Sequence, residues 1–131
     1  MILVDSSVWI DYFNGKKTAE TDWLDVSLGN TPIAINDIIL TEVLQEFHSD
    51  KDFKAARDLL MRIPFMTMGG QELALENAIN YRFLQKKGVT VRKTIDVMIG
   101  TFCIHYQLVL LHDDRDFDPM VKFLGLKIIN P

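Results

Sequence analysis

The chain has 131 residues, 48% hydrophobic and 24% charged, with seven Gly and four Pro. That composition fits one globular domain over residues 1–131 and excludes a disordered chain, a fibrous repeat and a disulfide scaffold. Fourteen basic residues face 18 acidic ones, a net charge of −4, which by itself argues against nucleic acid as a partner. The single cysteine, Cys103, has no internal partner and favours a reducing compartment. Asp5 interrupts the N-terminal apolar run before a signal peptide forms, and no run approaches the ~18 apolar residues of a membrane span. The expectation is a soluble, cytoplasmic domain with no membrane association.

The apolar run Ile2-Leu3-Val4 reads as a buried strand that feeds a helix capped by Asp5 or Ser6, carrying Val8, Trp9, Ile10, Tyr12 and Phe13 and stopped by Asn14-Gly15. A second helix is predicted over Thr18–Leu28, and Pro32–Ile35 is a second strand. Asp37 is the predicted cap of a helix with Leu40, Val43, Leu44 and Phe47 at helical spacing. Further helices are expected over Asp52–Arg62 and Gln71–Lys87, with a short strand at Phe65–Met68 between them. Leu75, Ala78, Ile79 and Phe83 form the apolar face of the longer helix.

Thr94 is expected to cap a helix that is apolar nearly all round, with Cys103 in its core pattern. Leu108–Leu111 is the clearest strand. A helix at Pro119–Leu124 and a terminal strand at Lys127–Ile129 close the chain. Short apolar strands alternating with helices indicate an α/β fold with a central, mostly parallel sheet of about four to five strands flanked by helices.

In such sheets ligands bind beyond the carboxyl ends of the strands. Asp5 follows the first strand, and Asp113, Asp114 and Asp116 follow the fourth. Glu42 lies among Ile38, Ile39, Leu40, Val43 and Leu44, and Asp96 sits in the first turn of the most apolar helix. Each has an ordinary structural explanation: an N-cap, a favourable helix-dipole position, a solvated helix face, a self-bonding turn. Together they would place four acidic segments at one end of a sheet. Clustered carboxylates repel and lose solvation unless a cation neutralises them. An all-oxygen cluster suits Mg²⁺ or Mn²⁺. His48, His105 and His112 offer no zinc spacing, and no Walker loop, dinucleotide fingerprint or nucleophile elbow is present. A carboxylate-held divalent ion implies phosphate chemistry. From Asn77 to Ile95 there is no carboxylate but there are five basic residues, Arg82, Lys86, Lys87, Arg92 and Lys93, a candidate phosphate grip.

Four segments carry a family resemblance. Val4-Asp5-Ser6-Ser7-Val8-Trp9-Ile10, Leu40-Thr41-Glu42-Val43-Leu44-Gln45-Glu46-Phe47, Arg92-Lys93-Thr94-Ile95-Asp96-Val97-Met98-Ile99 and Leu110-Leu111-His112-Asp113-Asp114-Arg115-Asp116-Phe117 resemble, in order, the four acidic motifs of PIN-domain ribonucleases. More narrowly they are similar to VapC toxins of bacterial toxin–antitoxin pairs. The resemblance implies an endoribonuclease that uses Mg²⁺ or Mn²⁺ to hydrolyse RNA, a tRNA or another structured RNA. It also implies a homodimer held inactive by a small VapB-like antitoxin.

Carried over by position, the implied site is Asp5, Glu42, Asp96 and Asp114, with Asp116 a further metal ligand. Ser6 matches the hydroxyl position expected to orient Asp5 or a water. His112 stands where many relatives have Thr or Ser. Arg92, Lys93 and Arg115 are the expected RNA contacts. Trp9, Tyr12, Phe13, Trp23 and Phe47 are candidates for an antitoxin groove, Trp23 being the one expected to be partly exposed. A PIN nuclease of RNA processing without an antitoxin, and an inactive PIN-like protein-binding module, are the alternatives; a phosphotransfer domain fits worse, because Asp5-Ser6-Ser7 lacks a second acid.

Overall fold

Three crossovers thread the sheet so that both acidic strand ends meet at its middle. The structure, a computed structural model, describes Met1–Pro131 and holds four strands, β1 (Ile2–Val4), β2 (Ile33–Asn36), β3 (Phe65–Met66) and β4 (Val109–Leu111). Their order is β3-β2-β1-β4. All three pairings are parallel, with Leu3 opposite Ala34 on one side and Leu110 on the other. Parallel strands buried on both faces need near-continuous apolar runs. Leu3, Val4, Ile33, Ala34, Ile35, Leu110 and Leu111 provide them and are almost wholly inaccessible. The chain leaves β1 for β2 on one side and returns as β4 on the other, so the β1/β4 boundary is the topological switch point where ligands of such sheets bind.

Seven helices cover the sheet: α1 (Ser6–Phe13), α2 (Ala19–Ser27), α3 (Asp37–Leu44), α4 (Asp50–Leu60), α5 (Gln71–Lys86), α6 (Thr94–Tyr106) and α7 (Asp118–Leu124). Several starts differ from expectation by one or two residues because a neighbour makes the better cap. Asn36, not Asp37, caps α3, its Oδ1 accepting from the Ile39 amide at 2.9 Å. Asp37 is thereby free to accept from the Met68 amide 31 residues on, also at 2.9 Å. Ser49 caps α4, which therefore begins at Asp50 rather than Asp52. Thr94 is the first helical residue of α6, whose cap residue is Lys93. The expected terminal strand is reduced to one parallel bridge, Ile128 against Leu110.

The face of α5 is the larger correction. Leu75, Ile79 and Phe83 point to solvent, 61%, 62% and 39% exposed. The helix instead turns Leu73, Asn77, Asn80 and Leu84 inward, burying the two leucines and half-burying the two asparagines. Helix α6 is buried along most of its length, as its all-round apolar pattern requires, and Cys103 is fully enclosed in it.

Candidate active site

The first carboxylate is held by its own helix. Asp5 leaves β1 in extended conformation and caps α1; Oδ2 accepts from the Ser7 amide at 3.2 Å and the Ser7 hydroxyl at 2.7 Å. The Ser7 hydroxyl in turn accepts from the Asp113 amide at 3.2 Å, which ties the exit of β1 to the exit of β4. The Ser6 hydroxyl does not bond Asp5, the first of its two expected roles. It donates to Glu42 Oε1 at 3.2 Å and so joins α1 to α3. Ser7 is thus a site residue that sequence reasoning missed, although the Asp-x-Ser spacing after a strand was a visible signal of a hydroxyl within reach of the capping carboxylate.

Asp96, in the first turn of α6, is buried, and its Oδ2 has no hydrogen-bond partner. Asp114 caps a 3₁₀ turn (Arg115–Phe117), with Oδ1 accepting from the Asp116 amide at 2.9 Å. The Asp114 amide donates to His112 Nδ1 at 3.1 Å, so His112 shapes this loop while its ring rests against Phe117. Carboxylate oxygens of Asp96, Asp114 and Asp116 lie within 4.8 Å of one another. Asp113 is exposed and enters only through its backbone.

Burial, helped by neighbouring negative charge, pushes all three innermost acids upward. Desolvation is the leading cause for Asp5, with the Asp114 charge adding to it. Glu42 is raised by burial and then by the Asp5 charge. Asp96 reaches about 6, again chiefly through burial, with Asp114, Asp5 and Asp116 adding repulsion that Lys93 partly offsets.

Two of the three expected RNA-binding cations are turned into this cluster. Arg92 holds Asp116 through both carboxylate oxygens, at 2.9 and 3.0 Å from one guanidinium nitrogen. Lys93 Nζ sits 3.4 Å from Asp114 Oδ2 and 3.6 Å from Asp96 Oδ2. Partial burial works against the Lys93 charge, but the Asp96 and Asp114 carboxylates outweigh it and raise its pKa. Arg115 lines the adjoining cleft with no carboxylate partner.

Two cations cannot balance five carboxylates. The surplus negative charge, the orphaned oxygen of Asp96 and a donor set made only of oxygen fit a hard divalent cation. Asp96, Asp114 and Asp116 lie close enough together to share one, while Asp5 and Glu42 stand near enough for their charges to be felt.

The expected antitoxin groove is only partly there. Trp9 is fully enclosed and belongs to the core, stacked on Phe13 at 5.9 Å between centroids. Phe13 and Phe47 meet edge to face at 5.6 Å and line an open groove of about 540 Å³ with Ala55 and Leu59 of α4. Tyr12 and Trp23 are half-buried against the core.

The chain is similar to known proteins. The family model for the PIN domain matches residues 2–122, and the chain belongs to that family. A relative named VapC ribonuclease Mb1587, from Mycobacterium bovis, is 27% identical over 129 residues, covering 97% of this chain and 96% of the relative. Among solved structures, VapBC2 from Rickettsia felis, bound to a promoter DNA fragment, superposes with a TM-score of 0.77 at 17% identity, covering 100% of this chain and 99% of that one. The Mycobacterium tuberculosis toxin VapC20, described as cleaving the sarcin–ricin loop, gives 0.71 at 14% identity with both chains covered completely. No helix of the protein is long and apolar enough to cross a membrane.

Proposed function

We propose that this protein is a divalent-cation-dependent endoribonuclease acting as the toxin of a toxin–antitoxin pair, with a tRNA or another structured RNA as substrate. The observation that carries the reading is the convergence of Asp5, Glu42, Asp96 and Asp114, from four separate segments, at the switch point of a parallel sheet, where the buried Asp96 Oδ2 accepts no hydrogen bond and meets Lys93 at 3.6 Å. The names of its relatives, a ribonuclease and toxin–antitoxin assemblies, support it.

In this reading Asp5, Asp96 and Asp114 hold Mg²⁺ or Mn²⁺, with Glu42 and Asp116 completing the set. The ion, when bound, polarises the phosphodiester and stabilises the leaving oxygen. Ser7 holds the Asp5 carboxylate by Oδ2, and Ser6 holds Glu42 by Oε1. Lys93 and Arg92, paired with Asp114 and Asp116, would join Arg115 in gripping the RNA backbone.

A VapB-like antitoxin is the proposed protein partner, its apolar helix anchored in the Phe13/Phe47 groove. The exposed Leu75, Ile79 and Phe83 stripe supports a homodimer.

The test is incubation of purified, antitoxin-free protein with total RNA in Mg²⁺ or Mn²⁺, beside EDTA and an Asp96→Asn variant, with sequencing of new ends. Discrete cuts that need the metal and vanish in the variant are the expected result. Intact RNA in both metals, from protein shown to be folded, overturns the nuclease in favour of a protein-binding module.

A further inference from the structure

The acidic cluster is flanked unevenly. On the side of α1 and α3 its neighbours are Asp37, Glu42 and the exposed Asp113, whose amide meets Ser7. None of these three carboxylates makes an ion pair. On the side of α5 and the loop that joins it to α6, there is no carboxylate from Asn77 to Ile95. Lys86, Lys87, Arg92 and Lys93 are all exposed there.

A cleft of about 70 Å³ adjoins the cluster on this second side, lined by Leu84, Val89 and Val91 and by Lys93, Asp96 and Arg115. Helix α5 ends at the cleft. The Val89 amide donates to the Leu84 carbonyl at 3.0 Å, so the chain doubles back at Lys87-Gly88 and leaves Lys86 and Lys87 at the rim. Arg92 and Lys93 are paired with carboxylates of the cluster, but Lys86, Lys87 and Arg115 have none. Lys87 rests over the Phe83 ring instead, 5.4 Å from its centroid.

A polyanion approaching five carboxylates is repelled unless cations meet its phosphates on the way. Such cations gather on one flank only, so the charge distribution sets a direction. The space in the cleft is about that of two water molecules, too narrow for a base but open to backbone oxygens. We propose that the RNA strand leaves the acidic cluster across this cleft and over the end of α5, its phosphates meeting Arg115 and then Lys86 and Lys87. This rests on the ribonuclease reading and adds to it the path of the strand and a contact surface beyond the point of cleavage. Phosphate contacts position a strand without reading its bases, so the surface takes single-stranded RNA of any sequence.

The test uses the full chain in EDTA, so that binding is read without cleavage, and a fluorescein-labelled oligo(U) followed by anisotropy over a range of salt. Lys86→Gln/Lys87→Gln is expected to lower the salt slope by about 1.4 and to weaken binding roughly ten- to thirtyfold near ~0.1 M salt. Arg115→Gln lowers the slope by about 0.7. Lys51→Gln/Lys54→Gln changes the net charge as much as the first variant, but on α4, which lines no part of the cleft; it leaves the slope unchanged. All five side chains are exposed, so these variants keep the fold.

Oligo(U) binding that is unaltered in Lys86→Gln/Lys87→Gln overturns the proposed path. An equal loss in Lys51→Gln/Lys54→Gln also overturns it, because the effect is then one of net charge. Failure of the wild type to bind oligo(U) does the same. In each of these cases, metal-dependent cuts in total RNA that are lost in Asp96→Asn show that the nuclease reading survives without this surface.

Discussion

Lys93 Nζ stands 3.6 Å from Asp96 Oδ2, one turn earlier on the same helix start, and 3.4 Å from Asp114 Oδ2 across the cleft. The ammonium therefore occupies space between two carboxylates that a divalent ion would share. Removing it leaves less positive charge for an incoming ion to displace. Lys93→Gln is expected to tighten Mn²⁺ binding by roughly three- to tenfold, a change worth about 1 kcal/mol for a partly exposed charge pair. Under the proposed function the same variant is expected to lower RNA affinity, because Lys93 would no longer meet a phosphate. Mn²⁺ titration by electron paramagnetic resonance reads the first effect and RNA anisotropy the second; unchanged metal affinity removes Lys93 as a counter-cation.

The raised acids make metal-free stability depend on pH. Unfolded Asp titrates near ~3.9; in the fold Asp96 titrates at about 6. Between those values the folded state binds the extra proton, so stability falls as pH rises from ~4 to ~6 and levels off above. The upward shifts of Asp5 and Glu42 act in the same direction. In EDTA the protein is expected to be more stable at pH 5 than at pH 7.5, with Asp96 contributing roughly 1–2 kcal/mol of the difference, or a few degrees in Tm. Asp96→Asn removes that contribution and melts higher than the wild type at pH 7.5 without metal. Mg²⁺ or Mn²⁺ raises the wild-type Tm more at pH 7.5 than at pH 5. Thermal melts at the two pH values, with and without metal, check all three statements.

Gly100 lies midway along α6, where an added Cβ would collide with the Met120 thioether of α7. Both residues are buried, Met120 to 2% exposure, so the sulfur cannot swing into solvent. Gly in a helix interior forfeits about 0.5–1 kcal/mol relative to Ala, yet here close approach outweighs propensity. Gly100→Ala is expected to destabilise by about 1–3 kcal/mol, measured by urea denaturation. Gly100→Ala as stable as wild type means that α7 yields at no cost.

The parts of this protein legible in its sequence were those set by local pattern. Apolar runs such as Leu108–Leu111 mark strands, and the acidic residues at their ends mark the candidate site. Local pattern does not decide the cap where two capping residues adjoin, as at Asn36-Asp37, because the choice depends on Asp37 finding the distant Met68 amide. Helix α5 carries its larger apolar stripe on the exposed face, where Leu75, Ile79 and Phe83 outnumber the leucines it buries; half-buried asparagines on the inner side mislead a hydrophobicity count. The pairing of Arg92 with Asp116 and of Lys93 with Asp114 spans 24 and 21 residues, which only the folded sheet brings together.

Ser7 is the sharpest test of how the site is built, because its hydroxyl does two jobs: it donates to Asp5 Oδ2 at 2.7 Å and accepts from the Asp113 amide at 3.2 Å. Ser7→Ala leaves the Asp5 carboxylate one hydrogen bond short and loosens the loop that carries Asp114. Since that bond opposes the upward push of burial on Asp5, its loss raises the pKa of Asp5 further. Metal affinity is therefore expected to drop about tenfold at neutral pH, and the pH at which Mn²⁺ binding is half-maximal to move upward. Ser7→Thr, which keeps the hydroxyl, restores both. A purely structural role for Ser7 would lower thermal stability without moving that pH midpoint, and Ser6→Ala, which acts on Glu42, should shift it less. Mn²⁺ binding followed from pH 5 to pH 8 in the three variants separates these outcomes.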